Sequence, residues 1–223
     1  MQLFAVQAHT NNLSAQRDYY HRQLGLPIVS ETDDLCRLQI GASTLTWLAS
    51  DVPLAGAYHF AFTIPENQLA AGVDWVQQRS AILAKDGQTR FHFAQWNADA
   101  TYFRDADGNI LEIIARHNLA NATTAAFGPA SLLNLSEVGL PSGDVLGLAD
   151  RLTSTLGIPD WLGRDAQFTT MGDEAGLLIL VPMGRSWLPT TQPALPLPLT
   201  LHALTGTAGE GHWPDLPYHV FTE

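Results

Sequence analysis

Two side chains suited to holding a divalent ion stand inside apolar, strand-like runs. His59 lies in Tyr58-His59-Phe60-Ala61-Phe62, and Glu112 in Ile110-Leu111-Glu112-Ile113-Ile114. An imidazole nitrogen and a carboxylate oxygen are both good ligands for such ions. Glu137 also sits in a strand-like run, Leu135-Ser136-Glu137-Val138-Gly139-Leu140. Buried carboxylates are rare unless paired, and its own segment offers no partner glutamate, so a salt bridge or hydrogen bond is the expected role. Tyr102, in Thr101-Tyr102-Phe103, is a candidate proton donor, weighed against the plainer role of a packed strand aromatic. Trp47 and Trp96 divide in the same way between pocket lining and core. Cys36 is the single cysteine. It falls in the alternating run from Leu35 to Ile40, where a buried, inert thiol is expected rather than a nucleophile. His202, His212 and His219 match no tight zinc spacing. No G-x-S-x-G elbow, phosphate-binding glycine loop or dinucleotide fingerprint is present.

Composition narrows the classes further. The chain has 223 residues and a formal net charge of -11. Nucleic-acid binders neutralise phosphates with clustered Lys and Arg, so this acidity argues against nucleic acid and against anionic membranes. One cysteine cannot form an internal disulfide. No apolar run reaches the ~18 residues of a membrane span. Met1 to Ala5 carries neither a positive segment nor a long apolar one, so no signal peptide and a cytoplasmic location are expected.

A repeat organises the elements that must carry these residues. Leu3 to His9 is a strand candidate. Asn12 caps a helix to about Leu24, with Leu13, Arg17, Tyr20 and Leu24 on one face, and Gly25 stops it. Strands follow at Ile28 to Thr32, Leu35 to Ile40 and Ser43 to Leu48. The order β, α, β, β, β then recurs: Tyr58 to Ile64, a helix from Gln68 to Arg79, Phe91 to Phe93, Thr101 to Phe103 and Ile110 to Ile114. Asp107-Gly108 marks the last hairpin. A third unit reads as Leu132 to Pro141, a helix from Val145 to Leu156, Ala166 to Met171, Leu177 to Val181 and Leu197 to Ala203. Pro189 to Pro198 reads as an extended linker, and no fourth helix is evident.

Two stretches carry a resemblance. Asn12-Leu13 … Arg17-Asp18-Tyr19-Tyr20 … Leu24-Gly25 resembles the "D-L-x-x-x-x-x-F-Y-x-x-x-L-G" signature of the vicinal-oxygen-chelate superfamily. Tyr102-Phe103-Arg104-Asp105-Ala106-Asp107-Gly108-Asn109-Ile110-Leu111-Glu112 is similar to its module-closing "Y-F-x-D-P-D-G-x-x-x-E". The superfamily includes glyoxalases, extradiol dioxygenases, and fosfomycin- and bleomycin-resistance proteins. The resemblance implies an α+β fold in which paired βαβββ modules curl into a cupped sheet. Four ligand positions lie on the first and last strands of each module. It places His59 and Glu112 at two of them and aligns the other two with Ala5 and Thr44, which are not ligands. Gln7 and His9 share the strand face of Ala5, but Gln7 is a poor ligand and His9 lies too far along; His92 faces the cup only in one register.

The expected organisation is therefore a two-module glyoxalase/dioxygenase-like domain over 1–117, a connector over 118–130, and over 131–223 a third βαβββ-like module with an irregular C-terminal extension. Glu137 falls where a module-opening ligand of this third module would stand, and the module's open sheet edge is to be covered by the third module of another subunit, giving the favoured homodimer, or by the irregular C-terminus. The expected function is that of a small-molecule lyase, isomerase or dioxygenase using a divalent ion (Fe, Mn, Zn or Ni), with His59 and Glu112 as metal ligands and Tyr102 as a catalytic proton donor. The alternative is a metal-free binding protein of bleomycin-resistance type.

Overall fold

Alternating strand patterns and capped helices form where the sequence puts them. A computed structural model describes residues 1–223. The first unit comprises β1 (Gln2–Thr10), α1 (Leu13–Arg17, running on as a π-helical turn over Asp18–Gln23), β2 (Ile28–Glu31), β3 (Leu35–Ile40) and β4 (Ser43–Ala49). The second comprises β5 (His59–Ile64), α2 (Leu69–Gln77), β6 (Phe91–Phe93), β7 (Ala98–Arg104) and β8 (Ile110–Arg116). The third comprises β9 (Asn134–Ser142), α3 (Val145–Leu156), β10 (Asp160–Trp161), β11 (Thr169–Asp173) and β12 (Gly176–Pro182). The C-terminal stretch is a fourth unit without a helix: β13 (Leu199–Leu204), β14 (Gly209–His212) and β15 (Tyr218–Thr222). No helix is long and apolar enough to cross a membrane.

The units pair differently from the expected grouping. One sheet runs β14-β15-β13-β1-β4-β3-β2 and the other β10-β11-β12-β9-β5-β8-β7-β6. The first unit thus shares a sheet with the C-terminal strands, and the second with the third, across the boundary expected after residue 117. The open edge expected on the third unit is covered within the chain, because β9 pairs antiparallel with β5. Ala5 and Thr44 pair with each other in the first sheet. They are half-buried, while Leu3, Val6, Ala8, Leu45 and Trp47 turn into the core. Neither residue can complete a site with His59.

Two layers of apolar side chains follow from period-two alternation. Phe60, Phe62, Leu111, Ile113, Val138, Leu140, Leu178 and Leu180 face a core shared with the first sheet and all three helices. The intervening Ala61, Ile110, Ile114, Leu177 and Ile179 face the other way, into a cup closed by Trp187 and Ala194. Every core side chain on these strands fixes by parity which of its neighbours points into the cup.

The two family-like motifs bind each other. Asp105 is buried. Its carboxylate accepts from the amides of Asp107 (3.0 Å) and Asn109 (2.9 Å), from Gln16 Nε2 (3.0 Å) and from the Tyr20 hydroxyl (3.1 Å). Helix entry is set by Asn12, whose side chain accepts from the Ala15 amide at 3.1 Å. Asp105 therefore anchors the β7–β8 hairpin to the first helix and fixes where β8 begins.

Candidate metal centre

Register on the cup face brings the site together. On β5 and β8, His59 pairs with Ile110 and Ala61 with Glu112. On β9, Glu137 pairs with Ala61 from the other side. His59, Glu112 and Glu137 are all buried, and one ligand atom from each lies within 4.8 Å of the other two. By the same register, Glu137 pairs with Leu177 on β12. Ile179, two residues on, then takes the place on β12 that Glu112 has on β8. The four positions hold imidazole, two carboxylates and one alkyl group.

The His59 tautomer follows from its neighbours. Nδ1 is 3.2 Å from the Ile110 carbonyl oxygen, which can only accept. Nδ1 therefore carries the proton and Nε2 the lone pair. That Nε2 lies 3.6 Å from Glu112 Oε2. The pair is not an ion pair. Burial, aided by the Arg185 charge, lowers the His59 pKa to about 4, so the ring is neutral at pH 7. Burial and then the Glu137 charge push Glu112 well above the usual carboxylate range. Burial also raises Glu137, against the pull of Arg116.

Unmatched acceptors define the chemistry of the cluster. Glu112 Oε1 is buried with no hydrogen-bond partner. A lone pair on Nε2 and two carboxyl groups converge beside the buried Arg116, whose Nη2 donates to Glu137 Oε1. Arg116 also lies over the rings of Trp96 (5.4 Å) and Trp161 (5.7 Å), which shield its charge from water. A divalent ion satisfies this donor set: it needs a neutral imidazole and ionised carboxylates, and it removes the cost of the orphaned oxygen.

Above the cluster opens a cavity of about 410 Å³, within the usual range for small-molecule sites. Tyr102, the cross-strand neighbour of Glu112, lines it, and its ring lies 6.3 Å from that of His59. Burial and the two glutamates hold its hydroxyl protonated. Trp187 lies against His59 with ring centroids 5.0 Å apart. Gly139 makes room for this: a Cβ there would stand 2.6 Å from the Trp187 ring.

Comparison with known proteins was informative for structure only. No family model and no curated protein sequence matches the chain. A Bacillus subtilis protein provisionally named as a dioxygenase superposes with a TM-score of 0.64 at 16% identity, over 100% of this chain and 85% of the other. The V278E mutant of glyoxalase I from Zea mays superposes with a TM-score of 0.60 at 14% identity, over 99% of this chain and 91% of the other. Both alignments span all four units. The chain has the vicinal-oxygen-chelate fold.

Within this vicinal-oxygen-chelate architecture, the structure brings His59, Glu112 and Tyr102 into one cavity and adds Glu137, which the sequence placed at a module-opening ligand position but assigned to a salt bridge or hydrogen bond. Glu137 makes the expected salt bridge, with Arg116, and also faces the cluster. Trp96 lines the cavity, whereas Trp47 is fully buried against Tyr20, Tyr58 and Phe60. His92 is exposed and paired with Asp99 at 2.9 Å. His9 lines a separate small cavity beside Tyr58. Arg104 donates to the Gly108 carbonyl and to Gln192, not to the aspartates beside it. Arg116, Trp187 and Arg185 lie outside both motifs, and no local pattern marks them.

Proposed function

We propose that this chain is a divalent-metal-dependent enzyme acting on a small oxygenated molecule, with His59, Glu112 and Glu137 holding the ion and Tyr102 handling a proton. One observation carries the reading: three buried ligand groups converge within 4.8 Å while the buried Glu112 Oε1 has no hydrogen-bond partner. One imidazole and two carboxylates suit Fe, Mn, Zn or Ni. Such an ion, when bound, supplies Lewis acidity that polarises vicinal substrate oxygens.

The chain's own residues do the remaining work. The Ile110 carbonyl fixes the His59 ring and its tautomer, which sets the direction of Nε2. Arg116 donates to Glu137 and holds its carboxyl in place. Ile179 contributes no ligand, so this quadrant is left to water or substrate, as catalytic sites require. Tyr102 is protonated and placed beside Glu112, where its hydroxyl can donate to an oxygen that gains charge. Trp187 and Trp96 exclude water from that step.

The second reading, a metal-free binder of bleomycin-resistance type, draws on the Arg116–Glu137 pair, which neutralises one carboxylate without an ion. Metal analysis of protein purified without chelator separates the two. Stoichiometric metal that disappears in His59→Ala is expected. Absence of bound metal after loading with each of the four ions refutes the enzyme reading in favour of the binder.

A further inference from the structure

Residues 183–198, between β12 and β13, form a strap over the mouth of the cup. It is an irregular hairpin: Gly184 N donates to Ala194 O (2.9 Å), Ala194 N to Arg185 O (2.7 Å) and Trp187 N to Gln192 O (2.9 Å). Arg104 of β7 clamps its tip through Gln192. Short-range backbone bonds and one clamp thus hold Arg185 and Trp187 against the cavity, which both line.

These two residues carry hydrogen-bond donors with nothing to donate to. Arg185 is half-buried and makes no side-chain hydrogen bond and no salt bridge, although it lies close enough to influence His59. The other arginines with buried or half-buried side chains each have a partner: Arg17 and Arg164 have carboxylates, Arg37 has Thr46, Arg79 has the Trp75 carbonyl, Arg104 has Gly108 and Gln192, and Arg116 has Glu137. Trp187 is buried and its indole Nε1 has no partner. The Arg185 guanidinium carbon sits 5.3 Å over the Phe168 ring, and Phe93 and Trp96 continue that aromatic wall. A desolvated, unpaired cation is costly to hold. A planar carboxylate relieves that cost through the guanidinium fork.

We propose that Arg185 and Trp187 are specificity-determining residues that take the carboxylate end of an aromatic-bodied substrate, the ring lying along Phe93, Trp96 and Phe168. The assignment deepens the function proposed above, since the other end of that substrate would then reach His59, Glu112 and Glu137. Carboxylate is favoured over a phosphate dianion because two glutamates lie at the floor of the same cavity and only one cation lines it.

The probe is 3-phenylpropanoate, compared with its neutral isostere 3-phenylpropanamide. Binding is followed by calorimetry on chelator-treated protein, where no metal can take the carboxylate. The wild-type chain is expected to bind the acid at least about tenfold more tightly than the amide, which corresponds to about 1.4 kcal/mol. In Arg185→Met that preference should fall to within about twofold, with a melting temperature no lower than that of the wild type, because Arg185 has no hydrogen bond or salt bridge within the fold to lose and its unpaired charge is costly. Trp187→Phe should weaken the acid more than the amide. Equal binding of acid and amide by the wild type, or a preference that survives Arg185→Met, overturns the assignment. Phenyl phosphate binding more tightly than the acid would also overturn it. Manganese stoichiometry on the wild-type preparation tests the metal reading separately. Discrimination without manganese leaves the strap standing and removes the metal; manganese without discrimination does the reverse.

Discussion

Replacing Glu112 with glutamine should make the metal-free protein more stable and unable to hold its metal. Glu112 is 2% exposed, with one oxygen unpartnered and Glu137 beside it. Its pKa is raised in the folded chain, so the folded state binds this proton more tightly than the unfolded one. By linkage the effect is a destabilisation that is absent below the unfolded pKa and grows as pH rises toward the folded pKa. Each tenfold difference in proton affinity between the two states is worth about 1.4 kcal/mol. Glutamine keeps the shape, carries no charge and escapes the penalty. The gain at pH 8 is the free energy of that raised proton affinity, about 1.4 kcal/mol for each tenfold. In a chain of this size that raises the melting temperature by roughly 2–4 °C per kcal/mol. Metal reverses the order: at a hundredfold excess over its Kd, an ion bound only to the native state stabilises by about 2.7 kcal/mol. Thermal melts of both proteins, with chelator and with manganese, at pH 5 and pH 8, measure all of this. The variant should melt higher than wild type with chelator, more so at pH 8, and should gain nothing from manganese. A variant that melts lower in chelator, or that is stabilised by manganese as much as wild type, refutes the idea that Glu112 is a carboxylate awaiting a cation.

Three further outcomes are expected. Arg116→Met strands Glu137 as a buried, unpaired charge and should cost about 3–5 kcal/mol in denaturant unfolding, while the double variant with Glu137→Leu should recover most of it; no recovery would show that Arg116 acts through its tryptophan contacts instead. Gly139→Ala puts a methyl 2.6 Å from the Trp187 ring and 3.1 Å from His59 Cβ, so it should cost about 1–3 kcal/mol and shift the Trp187 emission; unchanged fluorescence and stability would place the ring elsewhere. His59 binds its proton less readily when folded, at about 4, so it destabilises the chain as pH falls from its unfolded value near 6.5 toward 4. The loss amounts to about 3 kcal/mol, and His59→Phe should remove that part of the acid slope in chelator-treated protein.

The sequence made local matters legible and left distant ones hidden. The helix from Val145 to Leu156, capped by Asp144 and ended by Gly157, and the strands from Leu35 to Ile40 and Phe91 to Phe93 form where expected, because caps and period-two alternation act over a few residues. The first helix departs from its 3.6-residue reading where Asp18–Gln23 widens into a π turn, which buries both Tyr19 and Tyr20. Which unit shares a sheet with which is decided by packing between segments more than a hundred residues apart, and each unit taken alone carries an equivalent pattern. That is why Ala5 and Thr44 stood in for Glu137 and Ile179. The acidic residue within an apolar strand was the available signal for Glu137. Nothing comparable existed for Arg185 and Trp187, which reach the cavity from a proline-rich strap that read as a linker.

Pairing β1 with β13 joins Gln2 to Leu204 and Ala8 to Leu199, so the first sheet cannot close until nearly the whole chain is available. The site's own sheet spans only residues 59 to 182 and can assemble earlier, with its core face bare. Loop closure on this scale costs little more in free energy than a short loop, but long-range pairing is slow. The candidate metal centre thus sits on a sheet drawn from the middle of the chain, whose core face is covered only when the chain's two ends pair with each other.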